Sequence, residues 1–62
     1  MDAYKQHLAT LDDEELREET VAAVTEANAL RMEACRKHWE TLGRASEFLW
    51  CYNLAVDKMA RI

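Results

Sequence analysis

Helix-forming residues run almost unbroken from Leu11 to Ile62, with apolar side chains returning at helical spacing and Gly43 as the only breaker, so the chain reads as all-α. Thr10 ahead of Leu11-Asp12-Asp13-Glu14-Glu15 has the form of an N-cap followed by an acidic first turn. There the carboxylates meet free N–H groups and the positive end of the helix dipole. Gly43 fits the residue just past a helix, because glycine enters the left-handed region without a Cβ clash, and Ser46 is placed to cap the next helix. These signals predict a single small helical domain over 1–62. It comprises a lead-in segment or short helix over 1–10, a long helix over 11–42, a turn at 43–45 and a second helix over 46–61. The alternative is one helix continuous through Gly43, which costs only about 1 kcal/mol at the glycine.

On a helical projection the long helix gathers Leu16, Val21, Ala23, Val24, Ala27, Leu30, Ala34, Cys35, Trp39 and Leu42 on an arc of about 180°. The second helix gathers Ala45, Phe48, Leu49, Tyr52, Val56, Met59 and Ala60 on one face, expected to pack on the first helix. Trp50 and Leu54, one turn apart among charged residues on its other side, form an apolar patch that calls for a partner. A helix of 32 residues spans about 48 Å and one of 16 about 24 Å, so the long helix overhangs its mate. The overhang predicts an antiparallel helical hairpin that dimerises into a four-helix bundle, with Leu16, Val21, Val24, Ala27 and Leu30 in the dimer interface. Leu30→Asp is then expected to unfold the chain by placing a charge in that seam.

Length sharpens the expectation of a partner: a chain of 62 residues buries only about 60% of its unfolded surface, and a lone core of that size supplies roughly 3–5 kcal/mol. It excludes large catalytic folds, and two facing helices offer no cleft for a nucleophile, base and oxyanion site, so no enzyme activity is expected. No apolar run is long enough to span a membrane. Two cysteines and no recognisable leader point to free thiols in the cytoplasm. Net charge is −4 and unevenly placed, the first thirty residues being acidic and the remainder basic.

Cys35 and His38 lie one turn apart, and the hairpin would bring Cys51 level with them. These three are the candidates for a metal site, yet a single Cys-x-x-His with no second spaced pair leaves the expectation at no metal and no cofactor. The acids Glu14, Glu15, Glu18 and Glu19 suit a basic protein surface, and Trp50 with Leu54 suits an apolar one. The expected function is therefore a small non-enzymatic regulator or inhibitor that binds a protein, of the size of a bacterial or phage accessory protein acting on a host. The alternatives are a dimeric nucleic-acid-binding regulator using Arg31, Arg36, Lys37, Arg44, Lys58 and Arg61, or a structural unit of a helical assembly.

Overall fold

A computed structural model describes residues 2–61 of the chain; Met1 and Ile62, the ends of the expected domain, lie outside the described residues. The described residues form four helices and no strand: α1 (Asp2–Ala9), α2 (Asp13–Thr25), α3 (Ala29–Thr41) and α4 (Ala45–Ala60). The all-α class expected from the sequence is present, but the long helix over 11–42 is not. It is cut at Glu26–Asn28 into two helices of 13 residues each.

Backbone chemistry explains the cut. Ala27 takes φ 54° and turns the chain out of α2. The Asn28 N–H reaches back to the Ala23 carbonyl (3.0 Å) and the Ala27 N–H to that of Val24 (3.0 Å), the paired bonds of a Schellman ending. Asn28 then starts α3, its side-chain oxygen accepting the Arg31 N–H at 3.2 Å. Gly43 ends α3 in the same way, with φ 71° and an Arg44 N–H to Trp39 carbonyl bond of 3.0 Å, which excludes a helix continuous through that glycine.

Two expected caps also move. Asp12, not Thr10, caps α2 in a reciprocal box: its carboxylate accepts the Glu15 N–H at 2.8 Å and the Glu15 carboxylate accepts the Asp12 N–H at 3.1 Å. Thr10 instead donates its hydroxyl to the His7 carbonyl at the end of α1 (2.7 Å). At α4 the cap position falls on Arg44, whose side chain makes no capping bond, and Ser46 lies inside the first turn.

With the long helix folded in two, α2, α3 and α4 contact one another and α1 lies against α3. Asp13 pairs with Arg44 (2.7 Å) and Arg17 with Glu47 (3.0 Å), so the N-terminal ends of α2 and α4 lie together and the two helices run in the same direction. The buried side chains on these helices are mostly small, Thr20 and Ala23 in α2, Ala34 and Cys35 in α3, Cys51 and Ala55 in α4, which lets the backbones approach closely. Larger groups, Leu8, Leu16 and Trp39, fill the centre, with Tyr4, Leu11 and Phe48 packed at its edge. The Trp39 indole N–H donates to the Thr20 hydroxyl (3.1 Å), which donates to the Leu16 carbonyl (2.7 Å), so the polar atoms of this core are satisfied.

The fold overturns the sequence account of both apolar faces. Leu16 and Val24 are buried within the chain itself and Val21 is half-buried, while Ala27 and Leu30 stand in solvent. The overhang that required a dimer at those five residues does not exist, because the residues beyond the break turn back to cover it. Leu30, at 68% exposure, makes Leu30→Asp a surface change and no longer an unfolding one. In α4 the inward residues are Cys51 and Ala55 with Phe48 half-buried, whereas Leu49, Tyr52, Val56 and Met59 face outward.

Candidate functional site

The parallel placement of α2 and α4 leaves a groove between them. On the α2 side Glu14, Glu18, Val21, Ala22 and Thr25 recur at helical spacing; on the α4 side Trp50, Leu54 and Lys58 stand one turn apart. The open space is about 610 Å³, within the range of small-molecule and peptide sites. Trp50 is 56% exposed and forms one wall; Leu54 is half-buried in the floor beside Val21 and Ala22.

Arg17 lies at the groove's N-terminal end, clamped by two bonds to the Glu47 carboxylate (3.0 and 3.2 Å). Glu47 also accepts from Arg44 (3.3 Å), whose other arm reaches Asp13, and the Arg44 guanidinium sits 5.2 Å from the centre of the Trp39 ring. Hydrogen bonds from Arg17 hold the Glu47 carboxyl below its usual range, against the opposing pull of burial and with help from Arg44. Arg17 is therefore committed to the scaffold. Glu14 and Glu18 are exposed and make no ion pair among the described residues, so they form an acidic rim on the α2 side of the groove, with the exposed Lys58 the cation on the α4 side.

Four of the six residues expected to bind protein thus meet in one place: Trp50, Leu54, Glu14 and Glu18. The other two do not join them. Glu15 completes the cap of α2, and Glu19 points to the opposite side, into a network that ties three helices. There the Tyr4 hydroxyl and both the Nε and one terminal nitrogen of Arg31 donate to one Glu19 oxygen, and Arg31 also reaches Glu26 at 2.6 Å. Burial and the bond to Glu19 push the Tyr4 phenol well above its ordinary value, and Arg31 stays charged throughout. Sequence reasoning misses Val21, Ala22 and Thr25, the α2 floor, as groove residues; the i, i+4 spacing of Val21 and Thr25 opposite Trp50 is a signal only once the break at Ala27 is known.

Among the described residues no three His, Cys, Asp or Glu side chains gather where a metal ion would fit. Cys35 and Cys51 are buried free thiols, both pushed up by burial and so held in the unreactive protonated form. His38 instead lines a depression of about 250 Å³ with Lys5 and Lys37, whose positive charges disfavour a metal ion there. The arginines of the nucleic-acid alternative are engaged by carboxylates: Arg31 by Glu19 and Glu26, Arg36 by Glu33 and Glu40, Arg44 by Asp13 and Glu47, Arg61 by Asp57. No described helix is long and apolar enough to cross a membrane. Comparison with protein-family models, with curated proteins and with solved structures finds no match for this chain.

Proposed function

We propose that the chain is a small, non-catalytic protein-binding regulator or inhibitor, and that the α2–α4 groove is the surface that engages its target. The observation that carries this reading is the exposed Trp50 beside Leu54 and Val21 under an unpaired Glu14–Glu18 rim. Aromatic anchors set in apolar pockets supply most of the energy of protein association, and an acidic rim steers and orients a basic partner. The target segment is accordingly an amphipathic stretch with apolar anchors and Lys or Arg on the flank that meets α2. A host protein met in the cytoplasm by a bacterial or phage accessory factor is the setting we propose, in keeping with two cysteines that are buried as free thiols.

Nucleic-acid binding is the weaker reading, since the arginines it needs already neutralise carboxylates within the chain. The test is a binding series with immobilised amphipathic peptides, basic, neutral and acidic, against the intact chain and Trp50→Ala. Preferential capture of the basic peptides, weakened by about tenfold or more in Trp50→Ala with its helical circular dichroism unchanged, supports the reading. Equal binding by the variant, or no discrimination by peptide charge, overturns it.

A further inference from the structure

We propose that the outward face of α4 is a self-association seam, on which a second copy of this chain pairs α4 against α4 in antiparallel fashion. This inference does not rest on the groove, whose α4 residues are Trp50, Leu54 and Lys58 on the helix's other side. Ala45, Leu49, Tyr52, Val56 and Met59 succeed one another at intervals of four, three, four and three residues. That is the strict a/d repeat of a two-helix seam, narrower than the arc a helix shows to the core of its own domain. The row is only partly covered within the chain: Leu49 is 63% exposed, Tyr52, Val56 and Met59 are 40–43% exposed, and Ala45 is exposed too. Such a row of large apolar side chains on a monomer marks an interaction surface.

Charge selects the occupant. The positions flanking the seam are Ser46, Asn53 and Ala60 on one side and Phe48 and Ala55 on the other, with no acid or base among them. Heterotypic helix pairing is specified by charges at these flanks, and here none exists to choose a different partner. The net charge of −4 is repulsive between copies at long range, and a seam with uncharged flanks adds no further repulsion where they close. A copy also supplies the matching 3–4 spacing by construction. Antiparallel pairing sets Tyr52 of one copy over Val56 of the other, large against small, and Leu49 over the similarly sized Met59 about the two-fold axis, and runs the helix dipoles in opposition. Parallel pairing would stack Tyr52 on its own equivalent.

A standard interface covers about 800 Å² per partner, roughly a fifth of the 4182 Å² this molecule exposes, and a seam on a helix about 24 Å long falls at or below that size. The association is accordingly a reversible monomer–dimer exchange. Sedimentation equilibrium of the full chain from micromolar to millimolar concentration should show the mass rising from 7.2 kDa to a plateau at twice that value. Val56→Lys, at an exposed position, should raise the dissociation constant about 100-fold with unchanged circular dichroism, because an unpaired charge would be buried. Adding Tyr52→Glu to Val56→Lys should bring dimerisation back to within about tenfold of the original chain, since antiparallel pairing puts the two introduced charges opposite each other. A chain that stays monomeric throughout, mass that climbs past the dimer, or a Val56→Lys variant that dimerises unimpaired each overturns the proposal. Failure of the double variant to recover overturns the antiparallel register. Loss of the dimer in Trp50→Ala and not in Val56→Lys would place the seam in the groove and overturn it as well.

Discussion

Two junctions frame α3, and they make the same turn with different residues. At its entry the left-handed position is Ala27 and the start of the helix is fixed by the Asn28 side chain; at its exit the left-handed position is Gly43 and the next helix begins at Arg44 with no side-chain cap. Both use the same pair of backbone bonds, each 2.9–3.0 Å. The first junction thus accepts a strained alanine and compensates with a cap, while the second has the relaxed residue and no cap. Each is also clamped by ion pairs, Arg31 with Glu19 and Glu26 at the first, Arg44 with Asp13 and Glu47 at the second. A helix boundary needs only one strong local signal when packing behind it favours the bend.

That packing is the first thing to remove. Trp39 is wholly buried, its carbonyl accepts the Arg44 N–H of the exit junction, and its indole is bonded to Thr20 across the core. Trp39→Ala should cost about 3–5 kcal/mol, as much as a core of this size supplies, and leave the chain largely unfolded by circular dichroism. Persistence of native helicity and a cooperative melt would show instead that the two junctions hold α3 without the core.

A smaller effect of opposite sign at the two turns tests whether they are the same motif. A Cβ at Gly43 would meet no atom within 4 Å, so the cost of Gly43→Ala is that of φ 71° alone, about 1–2 kcal/mol. Ala27→Gly relieves the equivalent strain but loosens the unfolded chain, for a net gain of up to about 1 kcal/mol. For a domain of this size each kcal/mol moves the melting temperature by about 4–8 °C, in opposite directions for the two variants. If Ala27→Gly destabilised the chain, the left-handed turn at Ala27 would be wrong and the continuous helix over 11–42 restored.

The same pair of turns shows where the sequence is legible and where it is not. Gly43 announces itself because glycine is the residue a left-handed position prefers, and the helical class emerges from composition and spacing. Ala27 carries no such mark: alanine is the best helix former, and the signal lies in Asn28, which reads equally as a polar residue on a helix face until its side chain is seen capping Arg31. Missing that break lengthens one helix and creates an overhang, and the dimer interface at Leu16, Val21, Val24, Ala27 and Leu30 is a consequence of it. It also turns α4 the wrong way, since the apolar residues with the most regular spacing suggest the inner face while small Cys51 and Ala55 occupy it. Trp50, Leu54, Glu14 and Glu18 hold together as a cluster because their argument is local: an apolar pair on a charged face and an acidic first turn, each independent of where the long helix ends.

Acid separates the two clamps by the smallest margin. Burial raises the Glu19 carboxyl, but the bonds from Tyr4 and Arg31 outweigh it and the folded value lies below normal; Glu47 is lowered chiefly by Arg17. A carboxyl that is more acidic in the folded chain stabilises it fully above the unfolded value of about 4.3, and that contribution drains away as pH falls through the folded value. Stability should therefore decline below about pH 4.3, and Glu19→Gln and Glu47→Gln should each flatten the decline when urea midpoints are compared near pH 7 and near pH 3. Glu19 accepts from α1 and α3 at once, so its variant should also lose stability at pH 7, by about 1 kcal/mol, the net value of a hydrogen bond to a charged group after solvent screening. The exit clamp should respond more to salt, because the Arg44–Asp13 pair, with Asp13 exposed, is less covered than Arg31–Glu19 and more fully screened at high ionic strength. An acid limb identical in the original chain and both variants would show that neither clamp holds its junction, and that the entry and exit of α3 are fixed by backbone bonds and the core alone.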